Sequence, residues 1–290
     1  MVAQFTIGFK RQSIWSSLAA IDFFLGGTGA GAFLVSMYAG VNALAVAGLI
    51  AVIFGAVALL VDLGRPDRFW RAGSKVLMSW ISRGVVFTSV FVVFGVLYIA
   101  PDWIGALPWS KTTALGQAIG LLAAVGAIGV MMYTGFLLSH SPAIPFWNTT
   151  LLPLLFASSA LTCGAGLLFV LIPALGDKAA NTGSVETMSI ILLAVNLVFL
   201  AVYMLNMNAS TVAAKESVRM LMNRGLAPAF LIGVVGIGLV GPLVLVLFIR
   251  SAAGFGTASA VLAVAGILIL FGGFVFRQCM LKAGVYAPIL

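Results

Sequence analysis

The sequence predicts an all-α integral membrane protein, a bundle of eight transmembrane helices with both termini on the same side. Three observations predict it. Hydrophobic residues make up 62% of the 290 residues, well above the roughly 45–50% usual in soluble domains. Charged residues make up only 8% and gather between long apolar stretches. Those stretches, about 14–40, 41–61, 84–100, 113–139, 149–175, 187–207, 229–249 and 257–277, reach or approach the ~20 residues that a helix needs to cross a bilayer. Together they make one membrane domain over 1–290.

The first run follows Lys10 and Arg11 and contains Asp22. No small-residue cleavage site with a polar chain behind it follows, so the run reads as a spanning helix and not as a signal peptide. Its Gly26-Gly27-Thr28-Gly29-Ala30-Gly31 stretch follows no strand, which argues against a nucleotide loop. Gly27 and Gly31 instead form a small-xxx-small seam for a neighbouring helix. The second run ends at Asp62 and opens the longest loop, about 62–83. That loop begins Asp62-Leu-Gly-Arg-Pro-Asp-Arg-Phe-Trp-Arg71, two acids and three arginines between hydrocarbon. The fourth run carries Gly126, Gly129 and Tyr133 and exits at His140. The fifth and seventh contain Pro153 and Pro242, each expected to kink its helix. Asn196, Asn206 and Asn208 mark the sixth. Gly236, Gly238 and Gly241 in the seventh, and Gly272–Gly273 in the eighth, are expected to serve packing. Trp15, Trp70, Trp80, Trp103, Trp109 and Trp147 fall near run ends, as interfacial anchors do.

Assigning loops alternately places Lys10, Arg11, Arg65, Arg68, Arg71, Lys75, Arg83, Lys215, Arg219, Arg224, Arg277 and Lys282 on the face of the termini. Lys111, Lys178 and Arg250 fall on the other. By the positive-inside rule both termini are cytoplasmic. The same distribution explains the net charge of +8 without nucleic acid, since such charges orient the protein and meet headgroups or a docked partner. No loop is long enough for a soluble catalytic domain. Cys163 and Cys279 lack the spaced neighbours of iron–sulfur or zinc sites, and His140 alone cannot supply two-histidine ligation of a haem. No metal site is expected.

Alternation of the helices brings Asp22, Asp62, Tyr133 and His140 to one membrane face beside the arginine-rich loop. A carboxylate inside a span is costly and points to function. A quinone suits such a place. Its tail dissolves in the bilayer, while its carbonyls need hydrogen-bond donors and a proton-exchanging group a turn or two below the surface.

These residues resemble the polysulfide reductase membrane-subunit family, also called NrfD-like. The resemblance rests on Asp22-Phe-Phe-Leu-Gly-Gly-Thr-Gly-Ala-Gly31, on the 62–71 loop, on Ser79-Trp-Ile-Ser82, on Tyr133-Thr-Gly-Phe-Leu-Leu-Ser139 and on Ile144-Pro-Phe-Trp-Asn-Thr-Thr-Leu-Leu-Pro-Leu-Leu-Phe156. It is specific over about 15–170 and architectural beyond. It implies an eight-helix, haem-free subunit of a prokaryotic inner-membrane complex in anaerobic respiration. Such a subunit passes electrons between menaquinone or ubiquinone and a ferredoxin-like iron–sulfur subunit, which serves a molybdopterin or multihaem catalytic subunit. The resemblance gives Tyr133 as the residue that contacts quinone and matches Arg68, Asp22 and Asp62 to positions of the family's site. Convergence at one face adds His140 to the quinone-site residues, and Asp22 and Asp62, the acids at that end within the bilayer, are the expected proton-exchanging pair. Asp62 stands where a related anchor has histidine, and Ala19 where some relatives have asparagine. Arg65, Arg68, Arg71, Arg83, Phe69 and Trp70 form the expected docking surface. Two other readings stay open: a secondary transporter, and a structural anchor without a quinone site.

Overall fold

The computed structural model describes residues 10–62, 73, 76, 78–176, 182–252 and 255–287. The helices run in the order α1 (Ser17–Ala39), α2 (Asn42–Asp62), α3 (Trp80–Ile99), α4 (Ala114–Ser139), α5 (Leu151–Leu175), α6 (Thr182–Ala209), α7 (Val212–Asn223), α8 (Gly241–Ala252) and α9 (Phe255–Lys282). A 3₁₀ turn, Ala100–Asp102, extends α3, and a π-helical segment, Pro228–Val240, leads into α8. Among the described residues eight helices are long and apolar enough to span a membrane. The third runs Trp80–Asp102, and the seventh joins the π segment to α8 as Pro228–Ser251.

Helix α1 is the hub, packed against α2, α4, α5 and α9, and its small residues are the cause. Lipid tails are as apolar as leucine, so helices associate through close packing more than through the hydrophobic effect. A Cβ added at Gly31 would lie 2.2 Å from the Ala160 carbonyl oxygen, and one at Gly29 would lie 2.3 Å from that of Gly48. Gly164 is equally committed, its Cβ position 2.4 Å from the Ala32 nitrogen. Ser16 caps α1, its Oγ accepting from the Leu18 and Ala19 amides. Gly40 ends the helix at φ 71°, a left-handed conformation that suits glycine.

The segments flanking the bundle join. Arg11 pairs with Val285 in an antiparallel bridge, the Gln12 amide donates to the Gly284 carbonyl at 2.9 Å, and the Tyr286 amide to that of Lys10 at 3.0 Å.

Several sequence expectations are corrected. Pro153 lies in the first turn of α5, where a missing amide leaves no ladder bond unmade. At Pro242 the ladder widens, the Gly241 amide reaching the Gly236 carbonyl five residues back, one of the local adjustments by which a span accommodates proline. In the seventh span Gly238 meets Gly272, whereas nothing outside its own segment crowds Gly236. Trp147 is no interfacial anchor. It is fully buried and donates from Nε1 to the Met280 carbonyl at 2.9 Å. Arg277 is not a loop charge, because α9 continues to Lys282 and buries it. Helix α7 was not anticipated. It turns Ala213, Ala214, Ser217, Val218, Met220 and Leu221 inward and leaves Lys215 and Arg219 outside.

Candidate functional site

Asp22 lies in the second turn of α1 and is 5% exposed. Burial at that depth demands a partner, and α4 supplies one: the Tyr133 hydroxyl donates to Asp22 Oδ2 at 3.3 Å. A third helix makes room for the ring. A Cβ on Gly84 of α3 would stand 2.5 Å from Tyr133 Cδ2 and Cε2, so only glycine lets the phenol lie where it does.

Beside this pair is a cavity of about 460 Å³ between α1, α2, α3 and α4, within the usual 300–1,000 Å³ of small-molecule sites. Helix α2 contributes Val52, Ala56, Leu59 and Leu60, and α3 contributes Ile81, Gly84, Val85, Thr88, Ser89, Val92 and Val93. Both sets are single helical stripes. Trp15, Phe23, Gly26, Val130 and Leu137 complete the apolar wall, so Asp22 and Tyr133 are its ionisable members. Ile81 and Val93 also belong to the outer surface, 48% and 54% exposed. The α3 wall of the cavity is therefore shared with the outer surface of the bundle.

The other predicted residues fall elsewhere. Asp62 is exposed and accepts from the Ser16 hydroxyl at 2.8 Å, tying the end of α2 to the cap of α1. It does not line the cavity. His140 is exposed, its ring 5.5 Å from that of Trp80. Trp80 in turn stacks on Phe136 at 4.6 Å and carries the Arg83 guanidinium 4.4 Å from its ring centre. Arg83 Nε donates to the Val76 carbonyl at 3.1 Å. Arg65, Arg68, Phe69, Trp70 and Arg71 lie outside the described residues.

Sequence reasoning missed Gly84 and Arg277. The apolar run Cys279-Met280-Leu281 after Arg277 was the available sign that the helix continues past it. Gly84 gave no sign without its partner ring. Among the described residues no three histidine, cysteine or acidic side chains stand together as a metal site would require.

Comparison with known proteins adds an independent line. Residues 6–288 match the family model described as polysulphide reductase, NrfD. The protein is 30% identical over 242 residues to the C subunit of the polysulfide reductase of Wolinella succinogenes, an alignment spanning 74% of each. To protein NrfD of Escherichia coli K12 it is 28% identical over 260 residues, spanning 81% of its own length and 79% of that protein's.

Proposed function

The chain belongs to the polysulphide reductase NrfD family, and from that membership we propose that it is the membrane subunit through which a respiratory complex exchanges electrons and protons with quinone. The observation that carries the reading is the cavity itself. It is largely apolar, shares its α3 wall with the outer surface, and carries at Asp22 and Tyr133 one carboxyl and one phenol besides the hydroxyl residues Thr88 and Ser89. A tailed quinone has the matching chemistry, a hydrocarbon tail for the apolar stripes of α2 and α3 and carbonyl oxygens for the polar groups. Bound there, a quinone would supply a two-electron, two-proton couple.

The protein's own residues have defined tasks in this reading. Tyr133 Oη, held by Asp22, is a donor that can turn to a carbonyl without leaving the cavity wall. Asp22 is the acid and base, giving up or taking a proton at its carboxyl oxygens. Trp15 and Phe23, 5.6 Å apart between ring centres, wall off the end of the cavity near the start of α1 and keep bulk water from the carboxyl. Asp62, bonded to Ser16 just before α1, belongs outside that wall as a proton relay to the surface. His140, exposed at the same end, then stands outside with it. Electrons pass to or from a ferredoxin-like iron–sulfur subunit docked over the arginine-rich loop, and through it to a molybdopterin or multihaem subunit. We place the complex in a prokaryotic cytoplasmic membrane, with the joined Lys10–Gln12 and Gly284–Tyr286 segments on the cytoplasmic side.

The test uses the intact complex in membranes. Tyr133→Phe and Asp22→Asn should leave dye-linked activity of the catalytic subunit unchanged and lower quinol-linked turnover by ~10²-fold, the scale of a lost acid–base group. Wild-type quinol turnover in both variants would sink the reading.

A further inference from the structure

Behind α1, on the side away from the cavity, lies a buried charge that this reading has not used. Arg277 is 2% exposed. Its Nη1 donates to Ser159 Oγ at 3.0 Å and its Nη2 to the Phe156 carbonyl at 3.1 Å. The guanidinium carbon lies 4.3 Å from the centre of the Phe156 ring and 5.0 Å from that of Phe276. Each of these partners is neutral, Nε has no partner, and among the described residues no carboxylate pairs with it. Packing does not explain such a residue, because an apolar side chain of similar volume fills a buried site at less cost than an ion.

Its location does. A Cβ on Gly27 would stand 3.4 Å from Nη2, while the preceding Gly26 lines the cavity. Two adjacent glycines, about 100° apart around the axis, leave α1 bare both toward the cavity and toward Arg277, so helix backbone is what lies between them there. With a backbone radius of about 2.3 Å, the guanidinium is within roughly 10 Å of the cavity wall. An aromatic bridge runs the same way: Phe156 meets Phe23 at 6.5 Å, and Phe23 lines the cavity. At that range, with little water and no salt between, a unit charge changes an equilibrium of a group at the Gly26 wall by on the order of tenfold, and of Asp22, one turn further along α1, by less.

We propose that Arg277 is a positioning residue of the quinone cavity, a fixed counter-charge behind the Gly26–Gly27 window that favours one negative charge among the groups on the other side. That charge rests either on Asp22 or on an oxygen of the occupant. When the proton passes from Asp22 to that oxygen the negative charge passes back to Asp22, and Arg277 faces the same total throughout. The arrangement lets proton exchange proceed without isolating a lone anion in hydrocarbon. The inference rests on the quinone reading above.

The test is binding, not turnover. The full-length protein in lipid nanodiscs is titrated, by tryptophan quenching, with an alkyl hydroxynaphthoquinone that is anionic at neutral pH and with its neutral methyl counterpart. Wild type should bind both. Arg277→Gln should weaken the anionic ligand by about tenfold and the neutral one by less than about twofold, and Arg277→Lys should keep the wild-type ratio. Ser159→Asp, which sets a counter-ion on the guanidinium and leaves Arg277 in place, should reproduce the selective loss. Should Arg277→Gln not fold, Ser159→Asp decides. Equal effects on both ligands, an unchanged ratio, or failure of both variants to fold would each overturn the proposal and make Arg277 structural. A wild type that binds neither ligand would instead remove the quinone reading, whatever the variants do.

Discussion

Asp22 and Asp62 look alike in the sequence, since each is an acid at the same end of a span, yet their surroundings separate them. Asp22 is buried against Tyr133 in the cavity wall, whereas Asp62 is exposed and bonded to the Ser16 hydroxyl. Asp62→Asn should therefore cost no more than about 1 kcal/mol of stability, because exposed polar contacts contribute little. It should also slow quinol turnover less than Asp22→Asn does. A thermal-shift series alongside turnover checks both, and equal kinetic losses would put the two carboxylates on the same footing. Gly84 makes a sharper case. Alanine there would press the Tyr133 ring from 2.5 Å, with an overpacking cost of about 1–3 kcal/mol and displacement of the phenol. Gly84→Ala is expected to weaken binding of a quinone analogue about as much as Tyr133→Phe, although it removes no polar group. Binding equal to wild type would show that the ring tolerates the shift.

At the scale of elements, the α1–α5 seam is where glycine is irreplaceable. Gly164→Leu must push α5 off the Gly31–Ala32 backbone, since even its Cβ would sit 2.4 Å away. Detergent-solubilised Gly164→Leu should unfold many degrees below wild type, while a leucine at Gly105, which has open space around it, should change little. The first half of this seam was legible in sequence, because a run of glycine and alanine in a span has few uses besides close packing. The partner side was not, because small residues in α5 do not say which helix they face. Span positions were legible for the same elementary reason, length and hydropathy, and errors gathered at the ends. Arg277 looked like a span terminus because it is charged, yet neutral hydrogen bonds and two aromatic faces hold it inside. Helix α7 was missed because its apolar residues make no continuous run, Lys215, Glu216 and Arg219 interrupting them along the sequence although they fall off the buried face.

For the molecule as a whole, the charges sort by end. Toward the end where α1 begins and α2 stops lie Arg83 on Trp80, the joined Lys10–Gln12 and Gly284–Tyr286 segments, and α7, whose Ala213 and Met220 pack with Val285. At the opposite end Lys111 is occupied, bonded to Asp102 at 2.5 Å and to Asn42 at 2.6 Å, and Arg250 donates to Thr187 at 3.0 Å. An acidic or mixed partner surface therefore meets the greater positive field at the first end. The candidate cavity has its polar groups at that end too, on α1 six residues from Ser16 and on α4 near its exit. Electron transfer between a partner's cluster and an occupant of the cavity falls steeply with distance, so catalysis and electrostatics ask for the same docking face. A photo-crosslinking residue placed at Arg83 or at Lys215 in the assembled complex should capture an iron–sulfur subunit, and one placed at Lys111 should not. Capture at Lys111 alone would put the partner a full membrane thickness, ~30 Å, from Asp22 and Tyr133, and electrons could not then be exchanged through this cavity.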